Sequence, residues 1–135
     1  MNKAIEALEK GEQFSAVSFV LDDVAVASYV EAVEDEALPR LAQAEGKAWV
    51  PPMAVAALAL RSLMEETVLP AGAIHASQEF EFLRPVEVGE RIACRARLGH
   101  RSQRGGWWVL VVEIEGADES GQAVLAGRLT VMVPR

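Results

Sequence analysis

The side chains able to do chemistry here are few, and each also has a structural explanation. Two of the 135 residues are histidine and one is cysteine. His75, His100 and Cys94 are therefore the only side chains whose ordinary chemistry lies near neutral pH. His75 alternates with the apolar residues of a strand and points away from Ile74 and Phe80. His100 stands beside Arg101 at a hairpin end, where exposure is expected. Cys94 falls on the apolar side of its strand and reads as a small buried hydrophobe. A single cysteine forms no intramolecular disulfide and excludes the Cys-rich zinc frameworks, which fits a reducing cytoplasm and predicts no metal site. The other concentration of chemistry is cationic. Between Arg84 and Arg104 stand six arginines (Arg84, Arg91, Arg95, Arg97, Arg101, Arg104) against Glu87 and Glu90. Such an excess either meets a phosphate-bearing ligand, with Arg84, Arg95 and Arg97 as contacts, or lines a solvated strand face. For Arg84, next to Pro85, fixing the turn is the competing role.

These residues sit in a chain of 135 with half its residues hydrophobic, long enough for one core and too short for two, so residues 1–135 read as a single domain. Net charge is −7, which opposes nonspecific attraction to nucleic acid or anionic lipid. The charge is uneven: residues 1–83 carry five basic and fourteen acidic residues, whereas 84–135 carry eight and six. The longest weakly polar run, Trp49 to Leu60, falls short of the roughly 20 residues needed to span a bilayer. Met1 to Gly11, interrupted by Lys3, Glu6, Glu9 and Lys10, lacks the apolar core of a signal peptide and reads as a short surface helix. Nucleotide-loop, dinucleotide-fold, HExxH and GxSxG patterns do not occur, and no cofactor is expected.

The elements that must position these groups follow from periodicity. A first strand runs from Phe14 to Leu21. Asp22 then caps a helix through Ala25, Tyr29, Ala32 and Val33 that ends in the acidic cluster Glu34-Asp35-Glu36. Pro51 and Pro52 suit the first turn of a second helix, in which Met53 to Met64 is apolar on nearly every side and must be wrapped. Four strands would do the wrapping. One uses Ile74, Ala76, Phe80 and Phe82; a second carries Ile92, Cys94, Ala96 and Leu98 on one face and Arg91, Arg95 and Arg97 on the other. The turn Ser102 to Gly106 leads into a third, with Trp108, Leu110, Val112 and Ile114 inward, Glu113 and Glu115 outward, and Trp107 on the outer face or at an interface; Leu125, Leu129, Val131 and Val133 mark the last. A long apolar helix on the concave face of a curved antiparallel sheet is an α+β layout, and it fits the hot-dog fold.

The stretch Ile74 to Glu90, with its core Phe82-Leu83-Arg84-Pro85-Val86-Glu87-Val88-Gly89-Glu90, resembles the signature strand and turn of the MaoC-like dehydratases. Val50-Pro51-Pro52-Met53 resembles the helix start in the amino-terminal, usually noncatalytic, half or subunit of (3R)-hydroxyacyl dehydratases and (R)-specific enoyl-CoA hydratases. With Tyr29 to Asp35 included, the likeness runs from about Phe14 to the end. It implies acyl thioesters on coenzyme A or acyl carrier protein, as in fatty acid metabolism, with the acyl chain lying along the central helix at a dimer interface. The family's reaction is hydration of trans-2-enoyl thioesters, a lyase chemistry. Active members use an Asp and, five residues later, a His to position and deprotonate water, while an N–H at the helix start polarises the thioester carbonyl.

Asp35 falls at the aspartate position, but the residue five further on is Arg40, which is no general base at neutral pH. The helix start that usually carries His-Gly is Pro52-Met53, so an oxyanion donor must come from Met53 or beyond, hence Met53 and Ala54 as candidate substrate contacts. Asp35 between two glutamates reads first as a solvated acidic turn, and its catalytic role is implied by the resemblance alone. Three readings follow: a noncatalytic subunit that binds an acyl chain or completes a dimer with a catalytic hot-dog partner; a self-sufficient hydratase using Asp35; and a thioesterase. The last needs a carboxylate early on the central helix, whereas Glu65 and Glu66 come only at its end. Unpaired sheet edges predict a dimer with an identical or a different chain.

Overall fold

The structure is a computed structural model that describes residues 3–135. In chain order it contains β1 (Lys3–Ala4), a 3₁₀ turn (Ile5–Ala7), β2 (Gln13–Val20), α1 (Asp23–Ala32), α2 (Ala37–Glu45), α3 (Pro52–Met64), β3 (Thr67–Val68), β4 (Ile74–Phe82), β5 (Arg91–Arg104), β6 (Trp107–Ala117) and β7 (Ala123–Pro134). One sheet has the order β2-β5-β6-β7-β4 with every neighbour antiparallel, and β1 pairs with β3 in a separate two-stranded parallel ladder. The expected α+β order of strand, helices and four strands is therefore present. The sheet's inner face is the alternation read from β5, β6 and β7: Ile92, Cys94, Ala96, Leu98, Leu110, Val112, Ile114, Leu129 and Val131 are all buried. Each fully buried leucine or isoleucine contributes roughly 1.5–3 kcal/mol relative to exposure.

Helix α3 is covered on one side rather than wrapped. Ala54, Val55, Ala56, Ala59 and Leu63 form its buried stripe, and the three alanines let its axis lie close to β2 and β5. Met53 and Ala57 on its other side are exposed. Within α1 only Val26 is buried. Asp22 is its N-cap, with Oδ1 accepting from the Ala25 N–H at 2.7 Å. Replacing Asp22 with alanine is expected to cost about 1 kcal/mol, measured by urea unfolding, while Asp22→Asn loses far less because its side-chain oxygen also caps.

Two expectations are corrected. The amino-terminal segment is not a surface helix: Lys3 and Ala4 form β1, and Ile5 and Leu8 on the following turn are fully buried in the core. The spacing of Ala4, Ile5, Ala7 and Leu8 also suits a helical stripe, and what decides against a surface helix is a nonlocal pairing with β3 that the local pattern does not encode. Met1 and Asn2, part of that expectation, lie outside the described residues. In β4 the register shifts between His75 and Ser77, so Ala76 is bulged and the alternation changes phase. His75 then lies opposite Val131 and shares the inner face with Phe80 and Phe82, whereas Ile74 falls on the outer face. A bulge has no signature in a strand of mixed polarity.

Candidate functional site

Helix α3 begins where three segments meet. The Val50 N–H donates to Val86 O at 2.8 Å and the Val88 N–H to Ala48 O at 2.8 Å, which ties the lead-in to α3 onto the turn after β4. That turn is fixed from inside its own sequence. The Arg84 guanidinium donates through Nη1 and Nη2 to both oxygens of Glu90, through Nε and Nη2 to Asp118 Oδ2, and through Nη1 to Pro85 O, so all five N–H groups are engaged. Glu90 also accepts the Glu87 N–H, and Gly89, at φ 95°, supplies the left-handed residue that the turn requires. The Arg-Pro and Gly-Glu pairs of the sequence motif are thus parts of a scaffold clamp. Arg84 holds Glu90 below the ordinary carboxylate range; Ser120 Oγ and then Arg84 lower Asp118 to about 2. Arg84 itself is held further into its charged form, first by Glu90.

Above this clamp lies a cavity of about 570 Å³ between α2, α3 and the sheet. Leu38, Leu41, Trp49, Val50, Pro52 and Val55 line it from the helical side, and Phe82, Leu83, Pro85, Val86 and Val124 from the sheet side. The charged lining residues are Glu45, which accepts the Trp49 Nε1–H at 2.6 Å, and the fully engaged Arg84. An apolar space of this size with its polar groups already satisfied suits an aliphatic chain.

The candidate residues do not assemble into a catalytic pair beside it. Asp35 is half-buried, and its Oδ1 accepts from the Ala37 and Leu38 N–H groups at 3.0 and 3.1 Å, capping α2. Arg40 is exposed on α2, 3.9 Å from Glu36. At the start of α3, the Ala54 N–H bonds Pro51 O at 2.9 Å and its side chain is buried, while the Met53 N–H has no acceptor among the described residues and Met53 is exposed. Met53 is therefore the free donor of the two. His75 lines a separate space of about 190 Å³ with Leu60, Met64 and Leu129, and His100 is exposed beyond a bulge in β5. Cys94 is buried, and desolvation pushes its thiol up to about 12, as expected for an inert core residue.

The arginine excess resolves into strand pairing. Arg95 and Arg97 lie on the outer face of the sheet directly opposite Glu115 and Glu113, with Nη2 to Oε2 distances of 3.1 and 2.6 Å. Arg101 stacks on Trp108, its guanidinium carbon 4.1 Å from the ring centre. Arg84, Arg95 and Arg97, the candidate ligand contacts, are each held in an ion pair: Arg84 with Glu90 and Asp118, Arg95 with Glu115 and Arg97 with Glu113. A run of arginines in sequence carries no record of the glutamates that a neighbouring strand places opposite them. A further depression of about 730 Å³ over β2, β5, β6 and β7 is lined mainly by small side chains, with the Arg95 and Glu115 pair as its charges. Among the described residues no cluster of His, Cys, Asp and Glu is placed to hold a metal, and no helix is long and apolar enough to cross a membrane. The groups that residue-by-residue inspection missed are α2, Trp49 and Asp118. Helix α2 has a polar average and a proline within it, so only its apolar face signalled it.

Residues 9–126 match the family model described as the FAS1-like, dehydratase domain region. No curated protein matches the chain. Among solved structures, a monoamine oxidase regulatory protein from Archaeoglobus superimposes with a TM-score of 0.83 at 18% identity, covering 99% of this chain and 97% of that one. An (R)-hydratase from A. caviae involved in PHA biosynthesis gives 0.77 at 20% identity, covering 95% and 98%. The HadBC (3R)-hydroxyacyl-ACP dehydratase complex from Mycobacterium tuberculosis gives 0.77 at 19% identity, covering 95% and 99%. At these identities the structural likeness establishes the hot-dog fold.

Proposed function

We infer that this chain, which belongs to the FAS1-like dehydratase domain region family and has the MaoC-like hot-dog fold, is a noncatalytic, acyl-thioester-binding subunit of a (3R)-hydroxyacyl-thioester dehydratase or enoyl-CoA hydratase. The observation that carries this reading is an apolar cavity at the start of α3 whose lining holds no histidine and one carboxylate, Glu45, which accepts the Trp49 indole N–H. Asp35 has one carboxylate oxygen committed to the α2 cap, and Arg40 stands where a histidine would take the proton from water. What remains is a hydrophobic receptacle, and the unengaged Met53 N–H directly follows its lining residue Pro52 in the chain. The catalytic Asp and His then belong to a second hot-dog chain, and the functional unit is a dimer; the mycobacterial dehydratase named as a complex supports a two-chain arrangement. The ligand is an acyl chain on coenzyme A or acyl carrier protein, in the cytoplasm. No unengaged arginine lines the cavity, so the phosphate-bearing end of the thioester is met by the partner.

The test is hydration of crotonyl-CoA and of a longer trans-2-enoyl-CoA, followed at the enone absorbance, with wild-type protein and Asp35→Asn. Neither protein is expected to exceed the uncatalysed rate. Hydration by the wild type that is lost on Asp35→Asn would establish the chain as a hydratase in its own right.

A further inference from the structure

Seven of the chain's ten arginines lie within 4.0 Å of a carboxylate side chain. Among the described residues Arg101, Arg104 and Arg135 do not, and all three stand at one end of the sheet, on the β5–β6 hairpin and just past β7. Residues 99–112 and 129–135, which build this end, contain no acidic side chain. It is remote from the apolar cavity: Val124 beside that cavity and Pro134 here both belong to β7, roughly 30 Å apart at about 3.3 Å per residue.

Arg101 is held in place without being neutralised. It lies opposite Leu110, a buried inner-face residue, and the register shift between Leu98 and His100 is what turns it inward. An unbroken alternation from Leu98 would bring His100 and Ser102 to that face instead. There the Arg101 guanidinium carbon sits 4.1 Å from the Trp108 ring centre, and Nη1 donates to Leu8 O at 3.0 Å. Both partners are uncharged, and the remaining N–H groups of the fork stay available. Glu6 and Glu9 stand near Leu8 in the chain, but no ion pair joins either to Arg101 among the described residues, and Glu12 is held by Lys3 at 2.9 Å. The Arg135 guanidinium carbon is 5.8 Å from the same ring centre, which sets the two guanidinium carbons at most about 10 Å apart, and the Arg135 N–H is anchored on Gly106 O at 3.0 Å. Elsewhere the sheet fixes its arginines by pairing them with acids; here a half-buried guanidinium is fixed by an indole and a carbonyl, which leaves its charge for an anion from outside.

We propose that Arg101 and Arg135, gathered over Trp108, bind the diphosphate group of a small molecule such as a nucleoside diphosphate. A guanidinium meets a phosphate as a two-pronged donor, and a diphosphate gives one phosphate to each of two guanidiniums at this spacing, whereas a lone carboxylate engages one of them. Trp108 packs against the core, so the indole serves to orient Arg101 and the phosphates, not a base, are what the site reads. With a net charge of −7 the chain as a whole repels anions, so binding here is local and sensitive to salt. The inference goes beyond the subunit reading and does not depend on it.

The test is isothermal titration of inorganic pyrophosphate into the protein at about 0.01 M salt, where charges act over about 30 Å, and at about 1 M, where their reach falls to about 3 Å. One-to-one binding is expected at low salt, weakened at least ten-fold at high salt and at least ten-fold in Arg101→Gln and in Arg135→Gln. Arg97→Gln removes the same charge from an existing ion pair and is expected to change the affinity less than two-fold. Absence of binding at low salt overturns the proposal, and so does wild-type affinity in Arg101→Gln and Arg135→Gln. A loss in Arg97→Gln as large as in Arg101→Gln overturns it too, since net charge alone would then be at work. A tetraglutamate peptide that binds as tightly as pyrophosphate also overturns it and marks a surface for an acidic protein. Should Arg101→Gln fail to fold, because that side chain also bonds Leu8 O, Arg135→Gln decides. ADP and coenzyme A, titrated in the same way, distinguish two sources of the diphosphate: equal affinities point to a free nucleotide and tighter coenzyme A to the thioester's carrier, and either result upholds the diphosphate site.

Discussion

Arg84→Met is expected to lower stability by about 2 kcal/mol at neutral pH, the scale of hydrogen bonds to charged groups at a partly buried site, and to lower the melting temperature by roughly 5–10 °C. Methionine restores the aliphatic packing of the arginine stem but none of its five N–H groups, so Glu90 loses its strongest partner and Asp118 keeps only Ser120 and local backbone donors. The effect depends on pH in a defined direction. Both carboxyls titrate below their ordinary values in the folded protein, Asp118 at about 2. Their contribution to stability is therefore complete above the unfolded values near pH 4 and is lost as pH falls toward 2. Melting curves of wild type and variant should differ most at pH 7 and converge near pH 2. A gap of equal size at both pH values would mean that the arginine acts through packing and not through its charge.

The same residue shows how far the sequence can be read. The Arg84-Pro85 pair and the Gly89-Glu90 pair mark a turn because their conformational demands are local, and Gly89 does adopt the left-handed backbone there. Asp118, the third member of the clamp, is 34 residues away and gives no signal until β6 and β7 bring their hairpin beside the turn. The alternations of β5 and β6 were legible for the same local reason: Ile92, Cys94, Ala96 and Leu98 are inward, and Arg95 and Arg97 outward. What those arginines do was not legible, because it depends on the strand register that sets Glu115 and Glu113 opposite them. Met53 to Met64 reads as apolar all round, yet burial selects one stripe of it, and the face left open matters as much as the face that packs. The motif gap at Arg40 could be seen in sequence; that Asp35 caps a second helix could not, since α2 itself was unrecognised.

Lengthening the acyl chain of a trans-2-enoyl-CoA by four methylenes is expected to tighten its binding by about 3 kcal/mol, about a hundred-fold, and Leu38→Asp is expected to abolish most of that gain. The reason is the composition of the cavity beside α3. Its lining is apolar apart from Glu45 and Arg84, both already paired, so each methylene that enters leaves water without stranding a polar group. Leu38 is a half-buried lining residue on α2, where a carboxylate would keep its hydration shell inside the cavity while leaving the α3 core stripe untouched. Trp49 lies in the same lining and reports occupancy by its fluorescence. Trp107 and Trp108 stand near the far end of the sheet, so Trp49→Phe should remove the signal. Affinity that rises with chain length in the wild type and is flat in Leu38→Asp would place the acyl chain between α2 and α3. Affinity independent of chain length in both would mean that the thioester is held by its carrier end, and that the cavity is a packing gap to be closed by the partner chain.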